Sequence, residues 1–188
     1  RRLFHSAPSS ADVVLTLEPE AQAFVEKQLD ILAERWKPET AGAIVMDPKT
    51  GRILAMAARP NFDPNQYGDA SSLGVYVNPL VESVYELGSV FKPLTFAAAI
   101  DLGKITPETT YTDRGYVEVG GKRIENFDGK GRGLITMQHV LDESLNTGAV
   151  FVERTMGGLS MRDYFEALGL RDRTEIELPN EVRGKLEN

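Results

Sequence analysis

The sequence lacks cysteine, is poor in histidine and contains no long apolar run. Without cysteine the chain can form neither disulfide bonds nor thiolate metal sites, and neither His5 nor His139 has a partner at metal-ligand spacing. No segment approaches the ~20 apolar residues that span a bilayer. Basic residues number 21 against 28 acidic residues, so the formal net charge is −7 and we expect no nucleic-acid partner.

The rest of the composition is that of an ordinary globular domain. Hydrophobic residues make up 41% of the 188 residues and charged residues 26%, which argues against disorder. A chain of this length forms one domain or two small ones and buries roughly 70% of its unfolded surface. Because the sequence begins with Arg1 rather than Met, we expect it to be part of a longer protein.

The start of the chain predicts a strand followed by a helix. Alternating residues at 12–17 predict the strand, and Pro19 suits the first turn of a helix. Apolar residues then recur at helical spacing, and we expect Phe24 and Trp36 to pack in the core.

The remaining elements follow from turn residues and apolar spacing. Residues 42–46 and 52–58 are apolar strand candidates, and the turn residues between them predict a hairpin. Residues 59–80 predict a long loop. In the second half of the chain, apolar spacing predicts helices at 89–102, 137–143, 147–156 and 160–168. Between the first two of these helices, residues 116–125 predict a small hairpin that is split by two glycines.

A first candidate for catalytic chemistry is the pair Ser89 and Lys92, which share one face of a helical turn. Pro93 is tolerated best in a first turn, so the helix should begin close to Ser89. The positive end of the helix dipole, together with burial, would lower the pKa of Lys92 and make a neutral amine available as the base for a serine nucleophile. The backbone N–H of Ser89 would be free to face an oxyanion. Because Ser-x-x-Lys is common by chance, an ordinary surface helix start is the alternative.

A second candidate is Ser144-Leu145-Asn146, at the break between two predicted helices. In an extended segment, residues two apart point the same way, so Ser144 and Asn146 can both face a cleft while Leu145 anchors in the core. Ser144 could then relay a proton, and Asn146 could bind a substrate amide. Ordinary helix capping is the alternative for either residue taken alone.

Ser-x-x-Lys and Ser-x-Asn together belong to the signature set of penicillin-binding proteins and class A β-lactamases. From residue 12 to about residue 180 the chain resembles the transpeptidase domain of a class B penicillin-binding protein, of the division or elongation type. Beyond the Ser-x-x-Lys motif, the segments that carry the resemblance are residues 47–56, 60–65, 85–88, 126–129 and 144–148.

The resemblance implies an α/β fold of the serine β-lactamase and transpeptidase type, with an antiparallel sheet flanked by helices, incomplete in this chain. It implies that Ser89 attacks the carbonyl between two D-alanines of a peptidoglycan stem peptide, with Lys92 as the base. Ser144 would shuttle a proton to the leaving amine, and Asn146 would hold the substrate amide and orient Lys92. β-Lactams would acylate the same serine, and neither a metal nor an organic cofactor is needed.

The third motif of the family, a Lys-Thr/Ser-Gly on a core strand, is not found where it is expected. The only Lys-Thr-Gly of this sequence is residues 49–51, upstream of Ser89, in a predicted turn. We therefore interpret residues 1–188 as the N-terminal part of a transpeptidase domain. Loss of one oxyanion donor alone costs about 10²–10³ in rate, so we leave the activity of this chain by itself open.

Two alternatives stay open beside the transpeptidase. One is a hydrolase with the same Ser-Lys chemistry, a β-lactamase or a D,D-carboxypeptidase. The other is a non-catalytic penicillin-sensing domain. The resemblance further implies a parent protein anchored to the cytoplasmic membrane, with this domain on the extracytoplasmic face, and a membrane glycosyltransferase as its partner.

Overall fold

The computed structural model describes residues 14–69 and 73–186, and the chain divides into two compact units, Arg1–Ser83 and Val84–Asn188. The elements of the first unit are α1 (Pro19–Trp36), β1 (Ala41–Met46), β2 (Ile53–Arg59) and α2 (Pro79–Glu82). Those of the second unit are α3 (Lys92–Asp101), β3 (Thr110–Asp113), β4 (Tyr116–Val119), β5 (Lys122–Glu125), β6 (Gly133–Thr136), α4 (Met137–Asp142), α5 (Asn146–Met156) and α6 (Gly158–Ala167).

In the first unit, α1 packs against the β1–β2 hairpin, and both elements are confirmed. Pro19 is the first residue of α1, where its missing N–H leaves no hydrogen bond unmade. The side chain of Gln22 joins the helix to the hairpin, because its amide donates to the carbonyl of Met56 and accepts from the N–H of the same residue. Leu29 is buried between the two elements together with Ala55 of β2.

Two predictions about the first unit are wrong. Residues 14–17 form no strand, although Thr16 donates a hydrogen bond to the carbonyl of Ile53; residues 12 and 13 lie outside the described part of the chain. Phe24 and Trp36 are not in the core, since they are 64% and 69% exposed. Phe24 lies five residues before the buried Leu29, so the two side chains are on opposite sides of the helix. Trp36 is the last helical residue.

The segment predicted as a long loop contains short helical turns. Short 3-10 turns form over Pro64–Asp69, where Gln66 makes a kink, and over Leu73–Tyr76, and α2 begins at Pro79. The Asn78 side chain caps α2 by accepting a hydrogen bond from the N–H of Leu80. The described parts of this segment, residues 59–69 and 73–80, therefore contain more regular structure than their composition predicts.

The second unit is built around α3, α4 and α5, whose apolar faces share one buried core. Its members include Phe96 of α3, Val140 of α4, Val152 of α5, and Leu145, which precedes α5. The predicted hairpin is β4–β5, in which Tyr116 pairs with Glu125, and β3 pairs with β6. Throughout residues 14–69 and 73–186 the strands form three separate antiparallel pairs, consistent with the predicted α/β class.

Substituting Gly148 by alanine is expected to destabilise the second unit. A Cβ at this position in α5 would collide with both γ-methyl groups of Val140, which is fully buried in α4. Overpacking of this kind costs about 1–3 kcal/mol in the free energy of unfolding, measured by chemical denaturation. Gly158→Ala is the matched control, because a Cβ there meets only the Glu153 carboxylate, at 3.4 Å. Equal losses in the two variants would contradict the expectation.

Candidate active site

Ser89 lies in a tight turn that leads into α3. Gly88–Phe91 form a single turn of 3-10 helix, and the α-helix begins at Lys92, so the predicted helix starts with a tight first turn. Gly88 has a φ of +59°, a conformation that glycine adopts without strain. Pro93 is in the first turn of α3, as its missing N–H requires. Ser89 itself is exposed at this helix start.

Lys92 is the centre of the site, and it is only 8% exposed. Its Nζ donates to the carbonyl oxygen of Ser144 at 2.5 Å, to Ser144 Oγ at 3.0 Å and to Asn146 Oδ1 at 2.8 Å. Burial lowers the pKa of this lysine below its usual range. In the described part of the chain no hydrogen bond joins Ser89 Oγ to Lys92 Nζ, and the two residues are linked through the backbone N–H of Lys92 and the Ser89 carbonyl.

The three partners of Lys92 suit a neutral amine as well as an ammonium. The Ser144 carbonyl and Asn146 Oδ1 can only accept, so they take the two N–H groups of a neutral amine. Ser144 Oγ can both donate and accept, and it can give its proton to the lone pair of that amine. A proton can therefore pass between Lys92 and Ser144 while every hydrogen bond is kept.

Ser144 and Asn146 face Lys92 because the chain breaks between α4 and α5. Ser144 adopts a φ of +53°, and Leu145 is extended before α5 begins at Asn146. Leu145 is fully buried, which anchors the segment while its polar neighbours contact Lys92. The structure thus places this segment as the spacing of its residues predicts.

The amide of Asn146 is held in one orientation. Its Nδ2 donates to the carbonyl of Glu125, the last residue of β5, at 2.8 Å. This leaves Oδ1 as the atom that meets Lys92 Nζ. A strand of the β4–β5 hairpin therefore takes part in orienting the lysine.

A buried polar network behind Asn146 was missed by the sequence analysis. Asp113, at the end of β3, accepts from the Thr147 hydroxyl at 2.8 Å and from Asn126 Nδ2 at 2.9 Å. Its two oxygens also accept from the backbone N–H groups of Gly115 and Arg132, at 2.9 and 3.0 Å. Burial by itself would raise the pKa of Asp113, but these hydrogen bonds outweigh it and hold the pKa below its ordinary value. The turn signal Asp113-Arg114-Gly115 was the one local sign of this role.

The sequence gives no catalytic or metal-binding role to Lys49-Thr50-Gly51 or to the two histidines. Lys49-Thr50-Gly51 forms the β1–β2 turn of the first unit, where the Asp47 carboxylate accepts from the N–H of Lys49 and the hydroxyl of Thr50. His139 is on α4 and pairs with Glu143, while His5 is outside the described residues. Within residues 14–69 and 73–186, no three histidine, aspartate or glutamate side chains are grouped to hold a metal ion. None of the described helices combines the length and apolar character of a membrane span.

Comparison with known proteins identifies the family. The model of the penicillin binding protein transpeptidase domain matches residues 41–188, and the chain belongs to this family. Together with the relatives described next, this match confirms the resemblance to class B penicillin-binding proteins.

The relatives of the chain carry names that refer to sporulation and to peptidoglycan transpeptidation. It is 34% identical to stage V sporulation protein D of Bacillus subtilis, over 93% of this chain and 27% of that protein. It is 31% identical to a probable peptidoglycan D,D-transpeptidase FtsI of Caulobacter vibrioides, over 90% of this chain and 28% of that protein. The chain therefore spans little more than a quarter of these relatives.

Solved structures confirm the fold class. A peptidoglycan glycosyltransferase from Burkholderia ambifaria matches with a TM-score of 0.78 and 27% identity, over 93% of this chain and 51% of that one. The transpeptidase domain of penicillin-binding protein 3 from Burkholderia pseudomallei matches with a TM-score of 0.75 and 25% identity, over 93% of this chain and 47% of that one. The chain thus has the penicillin-binding transpeptidase fold over about half of each matched structure.

Proposed function

We propose that this chain is the N-terminal part of a peptidoglycan D,D-transpeptidase domain in which Ser89 is the acylated nucleophile. The observation that carries the proposal is the buried Lys92 amine. It is hydrogen-bonded to Ser144 and Asn146, and Lys92 lies three residues after the exposed Ser89. A serine hydroxyl is a weak nucleophile and needs a base nearby, and a lysine with a lowered pKa meets that need.

The proposed first half-reaction forms an acyl-enzyme. Ser89 Oγ attacks the carbonyl carbon between two D-alanines, and its proton moves to the neutral amine of Lys92, whose lone pair is freed as the Ser144 hydroxyl turns its O–H toward the leaving nitrogen. As the C–N bond breaks, the proton passes through the Ser144 hydroxyl to the leaving D-alanine amine, since Ser144 Oγ lies 3.0 Å from Lys92 Nζ. The stem peptide is then held as an ester on Ser89.

In the second half-reaction an amine of a neighbouring stem peptide attacks the ester. Its proton returns through the same groups, the ester bond breaks, and Ser89 Oγ is protonated again. A β-lactam enters as a mimic of D-Ala-D-Ala and opens its ring on Ser89. Asn146 Oδ1 keeps Lys92 in place at 2.8 Å throughout, and the substrate amide is bound beside it.

The proposal assigns the complete reaction to a protein longer than this chain. Because the relatives extend far beyond the matched region, we place these residues in a larger protein that supplies the third motif. We further propose a membrane anchor in that protein, this domain on the extracytoplasmic face, and a membrane glycosyltransferase as partner. A peptidoglycan glycosyltransferase among the matched structures points to the same pathway of cell-wall synthesis.

The test is covalent labelling by a fluorescent penicillin, followed by intact mass and peptide mapping. We expect the full-length natural protein to gain one penicilloyl group, mapped to the peptide that contains Ser89. With a synthetic stem peptide and an acceptor amine it should release D-alanine and form the cross-linked product. Release with water as the only acceptor would favour the carboxypeptidase, and labelling without any release would favour the sensing domain. A full-length protein that stays unlabelled would contradict the penicillin-binding assignment.

A further inference from the structure

The Asp113 carboxylate is buried without a cationic partner. It is 3% exposed and, in the described part of the chain, forms no ion pair with a lysine, arginine or histidine. Taking a carboxylate out of water is costly, so a carboxylate in this position must be held by hydrogen bonds. The four hydrogen bonds described above serve this purpose. One comes from the same turn, at Gly115, and three come from elsewhere in the second unit, at Asn126, Arg132 and Thr147.

Two of those bonds lead directly to the active site. Thr147, which donates to Asp113 Oδ1, follows Asn146 in the first turn of α5. Asn126, which donates to Asp113 Oδ2, follows Glu125, whose carbonyl accepts from the Asn146 amide. Thr147 and Asn126 also bond to each other, because the backbone N–H of Thr147 donates to Asn126 Oδ1. The backbone next to Asn146 and the Glu125 carbonyl, which accepts from the Asn146 side chain, are thus both connected to the Asp113 carboxylate.

We propose that Asp113 is a positioning residue of the acylation reaction, a conclusion that rests on the function proposed above. Through Thr147 and Asn126 it holds the Asn146 amide so that Nδ2 meets the Glu125 carbonyl and Oδ1 meets Lys92 Nζ. Lys92 then presents its amine in the orientation that the proton transfer from Ser89 requires. Asp113 does not touch the reacting atoms, and it acts only through these neighbours.

The network specifies a carboxylate rather than an amide at this position. Oδ1 accepts from the backbone N–H of Gly115, and Oδ2 accepts from the backbone N–H of Arg132. Neither N–H can turn into an acceptor, so an asparagine would bring its NH₂ group against one of them in either orientation. Asp113→Asn should therefore break hydrogen bonds on one side of the network, although the asparagine side chain has the same size as aspartate.

Acylation kinetics of the full-length natural protein with a fluorescent penicillin test this role. Two quantities are measured separately: the fraction of protein that can be labelled and the first-order rate constant of acylation. We expect Asp113→Asn to lower the rate constant on the order of 10²-fold, the effect of a misplaced catalytic group, while the labelled fraction stays the same. Asp142→Asn is the matched control, because its exposed carboxylate meets Gln138 on the surface of α4. It should leave both quantities unchanged.

A second pair of variants covers the case in which Asp113→Asn does not fold. Thr147→Val keeps the volume of the side chain but removes the hydroxyl that Asp113 accepts from, and it should slow acylation as Asp113→Asn does. Thr147→Ser keeps the hydroxyl and should recover most of that loss. Equal slowing in both Thr147 variants, or a lower labelled fraction with an unchanged rate constant, would overturn the inference, since either result means a role in stability alone. An unmodified protein that takes no label would overturn the proposed function, and this inference with it.

Discussion

Ser89→Ala is expected to abolish covalent labelling by penicillin completely. The variant removes the one oxygen that the proposed mechanism acylates, so no slower route through the same site remains. The fold should be unaffected, because Ser89 is exposed in the turn before α3 and such substitutions change the free energy of unfolding by about 0.5 kcal/mol or less. Intact mass measures the adduct, and thermal unfolding measures the fold.

Ser83→Ala is the matched control for this prediction. Ser83 is also exposed and lies six residues upstream, and its loss should leave the adduct at full yield. An adduct that persists in Ser89→Ala would show that another nucleophile is acylated. Ser144 would be the first to map in that case, because its hydroxyl also meets Lys92 Nζ.

Lys92→Met is expected to slow acylation by about 10²–10⁴-fold, which is the usual contribution of a general base. Lys92→Arg should be as slow, because a guanidinium keeps its proton at every accessible pH and cannot accept one from Ser89. The arginine variant therefore separates a base from a fixed positive charge. Lys104→Arg is the control, since Lys104 is exposed after α3. Full activity in Lys92→Arg would show that only the charge of Lys92 is required.

The pH dependence of acylation should carry the signature of Lys92. Burial lowers the pKa of this lysine below its ordinary value of 10.5, so the neutral amine is present at a lower pH than in an exposed lysine. Because the neutral form is the base, the rate should rise with pH through that lowered pKa and then level off. The rise should be lost in Lys92→Arg. A rise centred near 10.5, or a rate that falls as the pH increases, would contradict a buried lysine base.

Local patterns in the sequence were sufficient for much of the fold. The β1–β2 hairpin followed from turn residues between two apolar strands, and Pro93 marked the helix start beside Ser89. These features depend on backbone preferences within a few residues, which composition and spacing express directly. The helical spacing of apolar residues gave the wrong burial for Phe24 and Trp36, because periodicity does not determine which elements pack against each face of a helix.

The two candidate active-site motifs also follow from the sequence alone. Ser89 and Lys92 are close by spacing along one turn, and the break around Leu145 predicts that Ser144 and Asn146 face the same way. Each of these relations spans three residues or fewer, so local geometry is enough to define it.

The contacts that bring the motifs together are long-range and required the three-dimensional structure. Lys92 and Asn146 are 54 residues apart in sequence, and their hydrogen bond exists because α3 and α5 pack on one buried core. Asp113 is an ordinary polar residue in the sequence. The Gly115 N–H that it accepts from lies in the same turn, but its three other donors, Asn126, Arg132 and Thr147, are brought to it only by chain folding. Burial and hydrogen bonding of a charged group are properties of its surroundings, so neither the lowered pKa of Lys92 nor the proposed role of Asp113 follows from local spacing.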